Sequence, residues 1–416
     1  MTHTTHEILV VGAGAAGITV AAQLRRKAPK LAITLVDPAE FHYYQPGFTI
    51  VGGGAYPFEK TVRRTQELIP KGATWLQARV ASFQPEKNQV TLENGDTLEY
   101  QWLIAAPGMV NDWNKIEGLS DALGKNGVCS NYSADTVRYT WELVDKFKGG
   151  RALFTQPPMP IKCPGAPQKI AYLAADRWRQ RGISADMHFF TAGPTMFGVP
   201  EFAAALNKVV ARYNIQPHFT TNLVAVDGAA RKATFEVIKG ETKERATYEY
   251  DLLHVTPPES PPAFVKQSAL ANAAGYIEVN QSTLRHVRFD NVFSLGDACS
   301  TPNSKTAAAV RKQAPVVVQN LLASMRNEHL NAMYDGYGSC PLTTSLSTVM
   351  LAEFVYGGKI TPSFPLNPFA ERRLWWYGKT IGFPWLYWEM LTGFDFDIAH
   401  SADKAKPYMP EKAPGA

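Results

Sequence analysis

Glu7-Ile8-Leu9-Val10-Val11-Gly12-Ala13-Gly14-Ala15-Ala16-Gly17 is the stretch that decides the fold. Residues 7–11 form a short, mostly apolar run suited to a buried parallel strand. Glycines 12, 14 and 17 follow in G-x-G-x-x-G spacing, and Ile18 to Lys27 is patterned as a helix. A second apolar strand, Ala32 to Val36, ends at Asp37, twenty residues after Gly17. Strand, glycine turn, helix, strand and acid in that order make a dinucleotide-binding unit. Gly12 makes the tight turn, Gly14 lets a pyrophosphate approach the backbone, and Gly17 lets helix and strand pack closely. Ala15 and Ala16 open the helix whose positive end would receive the phosphates. Asp37 can accept a hydrogen bond from a ribose hydroxyl. The bland alternative is an ordinary glycine-rich strand-to-helix turn. The motif alone leaves the dinucleotide open.

A second stretch bears on that choice. Asn291-Val292-Phe293-Ser294-Leu295-Gly296-Asp297 is an apolar strand ending in Gly-Asp, far downstream of the first fingerprint. In this the chain resembles the flavoproteins with two dinucleotide-binding domains. The resemblance implies FAD, with Gly296 and Asp297 at its ribityl chain. It also implies a helix from about Thr306, preceded by Lys305, whose N-terminus favours negative charge on the reduced ring. That superfamily has an Ala-Thr-Gly turn. Its counterpart here is Ala106-Pro107-Gly108, a partial match, because Pro replaces Thr. Val80 falls where the superfamily binds adenine through backbone groups. The loop Phe41-His42-Tyr43-Tyr44-Gln45-Pro46-Gly47 leaves the C-terminal end of a strand, where such sheets bind ligands. Its aromatic residues either pack the loop or touch flavin or substrate, and Gln45 is counted as a cofactor contact.

Composition sets outer bounds. At 416 residues the chain can bury two domains' worth of core, and 45% apolar with 19% charged residues is ordinary for a soluble fold. A net charge of +5, with no basic runs, gives no reason to expect nucleic acid. It suits an anionic membrane surface or a small anionic substrate. Four cysteines, at 129, 163, 299 and 340, are too few for a disulfide framework, and no C-x-x-C suggests a metal site. No apolar run is long enough to span a bilayer, and with the first strand starting seven residues in, no signal peptide is expected unless one has been removed.

Residues 74–105 read as a small antiparallel insert, with strands Trp75 to Val80 and Asn88 to Leu92, a turn at Asn94-Gly95, and a return from Leu98 to Ala105. Residues 151–258 repeat the plan of strand, loop, helix, strand and hairpin, so a second copy stands inserted in the first. The fold expected is α/β, with two Rossmann-like domains in tandem. Residues 1–115 and 280–345 make the FAD domain, residues 116–279 the second domain with a degenerate nucleotide site, and residues 346–416 a C-terminal aromatic segment.

The degeneracy lies at residues 155–167, Thr-Gln-Pro-Pro-Met-Pro-Ile-Lys-Cys-Pro-Gly-Ala-Pro, where a second glycine fingerprint would stand. Its five prolines lack the N–H groups that cradle a pyrophosphate. In their midst stands Cys163, just before a helix, where the helix dipole and Lys162 would favour a thiolate. Cys340 lies in Tyr334-Asp335-Gly336-Tyr337-Gly338-Ser339-Cys340-Pro341, which reads as a tight loop. Two cysteines from distant segments beside one flavin would make a redox relay.

These cysteine segments, with His42-Tyr43-Tyr44-Gln45-Pro46, Lys162 to Lys169 and Lys305-Thr306-Ala307-Ala308-Ala309, resemble the sulfide:quinone oxidoreductases over nearly the whole chain. The likeness is to the two-cysteine type that includes the mitochondrial enzymes. It implies that Cys163 and Cys340 are catalytic. Hydrosulfide would attack the oxidised pair, which holds a bridging sulfur in one version. Cys340 would become the persulfide, FAD would take two electrons, and a thiol, sulfite or further sulfide would take the sulfur. Cys129 falls where other members carry a third cysteine that the two-cysteine type does not need. Cys299 reads as packing, and Glu201, His188 and His254 are candidate proton carriers whose commoner reading is structural.

Residues 366–394 hold Trp375, Trp376, Trp385 and Trp388 with Arg372, Arg373 and Lys379 among them. Aromatic residues with nearby cations suit an interfacial segment, and the alternative is a hydrophobic clasp or a dimer interface. With quinone as acceptor, the expected location is the surface of an inner or plasma membrane, with room left for a homo-oligomer. The competing enzyme readings are an NADH:quinone reductase, which the lost second fingerprint opposes, and a cytochrome-linked sulfide dehydrogenase. The competing non-enzyme reading is a flavin-binding redox sensor.

Overall fold

The computed structural model describes residues 3–240 and 242–396. Strand His3–Val11 sits inside the first sheet, with Ile33–Val36 parallel on one side and Thr97–Ala105 parallel on the other. Ile8, Leu9 and Val10 are wholly buried, as a parallel strand covered on both faces requires. Strand Thr97–Ala105 changes partner along its outer edge. Residues 97–99 pair antiparallel with Gln89–Leu92, and residues 103–105 pair parallel with Val292–Ser294. The second pairing brings the chain back to the first sheet after the whole second domain.

One expected strand is split. Residues 75–80 do not form one antiparallel strand. Thr74–Leu76 joins the first sheet parallel to Ile33–Val36, and Val80–Gln84 starts a separate strand against Gln89–Leu92. The break is local: the Ala78 N–H bonds back to the Leu76 carbonyl at 2.9 Å, which turns the chain before Val80.

The second domain carries five parallel strands in the order Val128–Cys129, Leu252–His254, Gly150–Gln156, Ala185–Thr191 and Gln216–His218. A three-stranded antiparallel sheet, Thr221–Asp227, Lys232–Lys239 and Thr242–Glu249, packs Leu223 and Phe235 against Leu153 and Phe190. Two dinucleotide-type domains, the second set into the first, are therefore present.

The long helix Ala307–Met325 packs on the first helix, Ala15–Lys27. The Thr306 hydroxyl caps it by accepting the Ala309 N–H at 3.2 Å, a contact worth about 1 kcal/mol. Gln313 on the same helix accepts the Gly296 N–H at 2.8 Å, which fixes the Gly-Asp turn.

Cys340 is not in a loop. It lies inside strand Gly338–Thr343, opposite Ala352 of strand Val349–Phe354. The tight turn expected there falls earlier, at Gly336, whose φ is +87°. Side chains alternate across this hairpin. Cys340, Leu342, Met350 and Ala352 join the second domain's core, while Ser339, Pro341, Leu351 and Glu353 line a cavity on the other face. The boundary expected after residue 345 falls in the turn of this hairpin.

The tail runs through helical segments Arg373–Tyr377, Gly378–Gly382 and Phe383–Leu391. The rest of the expected tail, residues 397–416, lies outside the described residues. Among the described residues no helix is long and apolar enough to cross a membrane.

Candidate active site

A cavity of about 580 Å³ opens at the glycine turn and runs past Cys163 to the tail helices. That volume is within the range of cofactor sites, roughly 300–1,000 Å³. Gly14, Ala15, Ala16, Asp37, Gln45, Ala106, Gly108, Gly296, Asp297, Lys305, Thr306 and Cys163 all stand on its wall. Gly12 and Gly17 lie behind the wall and shape it: a Cβ on Gly17 would come within 1.8 Å of the Gly12 carbonyl oxygen. Val80 is buried in the sheet and is not on this wall. Cys340 is wholly buried just behind Cys163.

The residues present fit a dinucleotide flavin. A side chain on Gly14 or Gly108 would meet nothing within 4 Å, so open space stands where a pyrophosphate would approach. Asp37 is oriented by two backbone donors, Ala13 N–H to Oδ2 and Ala39 N–H to Oδ1, each at 2.8 Å. Burial raises the Asp297 carboxyl above its ordinary range, opposed by the charges of Lys162 and Lys305. The Lys305 ammonium donates to the Cys299 and Thr301 carbonyls at 2.6 and 2.9 Å. It ties together the loop between Asp297 and the long helix.

Cys163 and Cys340 come together from 177 residues apart, with their sulfurs 3.5 Å from each other. Both are free thiols. Cys163 has φ +46°, an uncommon conformation for a residue with a side chain. Two contacts hold it there: its N–H donates to the Lys305 carbonyl at 2.9 Å, and its carbonyl accepts the Ala166 N–H at 2.7 Å. It stands ahead of helix Ala166–Gln180.

The cation beside the thiol is Lys169, not Lys162. The Lys169 ammonium lies 3.3 Å from the Cys163 sulfur and is buried. Lys162 turns away to Glu259 at 3.0 Å and to Asn111 at 3.3 Å. Lys162 adjoins Cys163 in sequence, but Lys169 lies on the helix face that Cys163 precedes. The Cys340 thiol donates to Cys163, and the charge of Lys169 adds to it, so Cys163 is held well below the ordinary thiol range. Cys340 is held well above it by the same hydrogen bond and by burial. Burial would lower Lys169, but the two sulfurs reverse that and keep it charged. The pair is thus polarised, with the negative charge on the cavity side.

Gly165 makes the approach of the two sulfurs possible. A Cβ there would lie 2.6 Å from the Cys340 sulfur and 2.6 Å from Leu342 Cδ2.

The other cysteines stand apart from this pair. Cys129 is buried in the second sheet, and burial pushes its thiol up to about 12. Cys299 packs with its sulfur 2.9 Å from the Thr301 hydroxyl. His188 bonds to Asp186 and His218 at the edge of the second sheet. His254 accepts the Asn131 N–H, and burial brings its imidazole down to about 3. Neither histidine nor Glu201 is on the cavity wall.

The tail closes the far end of the cavity. Lys379, Phe383, Leu386, Tyr387 and Met390 face inward, at helical spacing. His42 anchors them: its Nδ1 donates to the Ala13 carbonyl at 3.3 Å, and its Nε2 accepts the Tyr387 hydroxyl at 2.7 Å. Burial brings His42 down to about 4, so it is neutral and can do both. Tyr44 packs on Tyr387 at 4.7 Å between ring centres. The aromatic loop therefore both packs and lines the cavity.

Lys379 is not the interfacial cation expected of it. It is 3% exposed and donates to the Pro46 carbonyl at 2.6 Å. Burial and the charge of Lys169 bring it down to about 7, with the two cysteines opposing. Leu374, Tyr377, Ile381 and Trp385, at spacings of three and four, are 54–66% exposed and form one outward apolar stripe.

A nucleotide cavity, a thiol on its wall backed by a second, buried thiol, and a tandem dinucleotide fold define a flavin-type disulfide oxidoreductase. Residues 6–146 match the family model for pyridine nucleotide-disulphide oxidoreductases. Within that class, the chain belongs to the sulfide:quinone oxidoreductase family. It is 42% identical over 393 residues to the mitochondrial sulfide:quinone oxidoreductase of Dictyostelium discoideum, covering 93% of this chain and 86% of that protein. Against the mitochondrial enzyme of Mus musculus the identity is 40% over 390 residues, with the same coverage. The X-ray structure of the sulfide:quinone oxidoreductase from Aquifex aeolicus shares the fold, with a TM-score of 0.76 over 96% of this chain and 94% of that one at 20% identity.

Proposed function

We propose that the chain oxidises hydrogen sulfide to sulfane sulfur through Cys163 and Cys340, with FAD as cofactor and a membrane quinone as final acceptor. The observation that carries this is the polarised pair, with Cys163 on the cavity wall and Cys340 buried behind it, 3.5 Å between sulfurs and Lys169 at 3.3 Å from Cys163. A direct S–S bond of about 2.05 Å needs the pair to close. Two such bonds through one bridging sulfur span roughly 3.3 Å, close to the separation present.

Hydrosulfide attacks the Cys340 sulfur of the oxidised pair. A new S–S bond forms there, the old one breaks, and its electron pair leaves on Cys163. Lys169 stabilises that leaving thiolate. The Cys340 persulfide then gives its outer sulfur to a thiolate, sulfite or a second hydrosulfide, and the Cys340 thiolate is released. Re-forming the oxidised pair releases two electrons, so each hydrosulfide yields one sulfane sulfur, one proton and two electrons. The chemistry that FAD supplies when bound is two-electron transfer between this pair and a quinone. Gly14, Ala15, Ala16 and Asp37 would hold its pyrophosphate and ribose, with Asp297 at the ribityl chain and the Thr306-capped helix at the ring.

The quinone would enter beneath the tail. The tail's inner face lines the cavity and its outer stripe is apolar, so one segment can rest on a bilayer while guiding a lipid-soluble substrate inward. A smaller pocket of about 270 Å³ shares Tyr43, Gln45, Tyr132 and Lys162 with the cavity and offers a polar approach for sulfide and the sulfur acceptor.

Cys163→Ser and Cys340→Ser test the assignment. Both variants should retain flavin and lose sulfide-dependent quinone reduction. A near-normal rate in either removes the pair from the mechanism.

A further inference from the structure

Quinone reduction needs protons as well as electrons, and the cavity holds a buried acid that the sulfide chemistry leaves unused. Glu353 is 3% exposed and lies on the cavity face of the hairpin, opposite Ser339. Its Oε1 accepts the Tyr337 hydroxyl at 2.6 Å and also the Ser363 hydroxyl. Its Oε2 accepts the Ser363 N–H at 2.9 Å. Tyr337 and Ser363 are on the same wall, and Phe364, next to Ser363, is 45% exposed. Tyr337, Glu353 and Ser363 thus form one hydrogen-bonded cluster on the cavity wall, and the half-buried Ser363 marks its outer end, next to the exposed Phe364. Here the acid stands where a quinone would lie, on the face of the hairpin turned away from Cys340.

We propose that Glu353 is a proton-transfer residue for quinone reduction, taking protons from the Ser363 side and passing them to a quinone oxygen with Tyr337. This rests on the quinone reading above. The balance is one quinone, two electrons supplied by sulfide oxidation and two protons, giving one quinol with a new O–H bond at each oxygen. Glu353 delivers a proton to the oxygen nearer the hairpin and is reprotonated from the surface. Lys379, whose ammonium donates to the Pro46 carbonyl, stands on the wall of the same cavity and would serve the other oxygen.

The test uses the flavin-loaded protein, reduced anaerobically with sulfide and then mixed with decylubiquinone or with ferricyanide. Ferricyanide takes electrons without protons. Glu353→Gln should hold flavin, be reduced by sulfide within about two-fold of wild type, and be reoxidised by ferricyanide at the wild-type rate. Its reoxidation by decylubiquinone should fall about 100-fold, the usual worth of a positioned acid, with a changed solvent deuterium isotope effect. Tryptophan-fluorescence titration should give decylubiquinone binding within about three-fold of wild type, because the residue moves a proton rather than holding the ring.

Wild-type reoxidation of Glu353→Gln by decylubiquinone overturns the proposal. Equal slowing with ferricyanide also overturns it, since that marks a structural role. If wild type itself reduces no quinone, the reading above fails and takes this proposal with it. If Glu353→Gln loses its flavin, Ser363→Ala carries the test. Slowed decylubiquinone reoxidation with normal ferricyanide reoxidation supports the relay there, and an unchanged rate overturns it.

Discussion

Replacing Lys169 with Met removes one buried charge while keeping the side chain's length. The ammonium lies 3.3 Å from the Cys163 sulfur. At an effective dielectric of about 20, a unit pair at that distance is worth about 5 kcal/mol. That is a ceiling, because the Cys340 hydrogen bond, the largest influence on Cys163, survives, and so does the charge of Lys379. Loss of the charge should therefore raise the Cys163 pKa, by less than that ceiling. Sulfide attack expels Cys163 as a thiolate, so the step should slow by at least several-fold and by up to roughly 70-fold if half of that energy is felt, taking a Brønsted slope of about 0.5. The sign with pH follows. Below its raised pKa the variant's Cys163 is a thiol, so the deficit in alkylation is greatest at low pH and closes as pH rises. The assay is iodoacetamide labelling of Cys163 in the reduced protein against pH, read by mass spectrometry, beside stopped-flow reduction by sulfide. An unmoved labelling midpoint and an unchanged rate of flavin reduction would refute the assignment of Lys169.

Gly165→Ala puts a Cβ 2.6 Å from the Cys340 sulfur. Overpacking of this kind costs about 1–3 kcal/mol and would push the sulfurs apart, so turnover should fall about tenfold with flavin retained, as checked by activity and absorbance. Lys379 titrates at about 7, so its cation is present below that pH and lost above it. Quinone-dependent reoxidation should decline as pH rises through 7, and Lys379→Met should be slow and lack that limb. Ile381→Ser with Trp385→Ser removes two side chains from the outward stripe. At about 1.5–3 kcal/mol each, vesicle binding should weaken by roughly 100-fold or more in a flotation assay, with reduction by sulfide unchanged.

The glycine turn was legible because its spacing is imposed by backbone contact. The Gly12 carbonyl leaves no room for a side chain at Gly17, whatever else the chain does. The missing second fingerprint was legible for the same reason, since proline has no N–H to offer. The cysteine pair was legible as two unusual segments, but its surroundings were not. Lys162 adjoins Cys163 in sequence, yet Glu259, 97 residues away, draws its charge off. Lys169 adjoins Cys163 only once the helix is wound. A lysine among Gln168, Ile170 and Ala171 on a buried helix face was the available signal. Lys379 read as an interfacial cation because aromatic residues surround it in sequence, and only the tail's fold turns it inward. Glu353 looks like any acid at a strand end until its register opposite Ser339 puts it on the cavity face. Cys340 read as a loop residue because Gly336, Gly338 and Pro341 flank it. The hairpin tolerates Pro341 because Gly338–Thr343 pairs with one strand only.

Anaerobic titration of the purified yellow protein with sulfide and, separately, with NADH bears most directly on the cysteine relay. Bleaching of the flavin, or a long-wavelength charge-transfer band, with sulfide alone is the expected result. Bleaching by NADH with indifference to sulfide would mean that the proline-rich loop still admits a nicotinamide and that Cys163 and Cys340 do not carry the electrons.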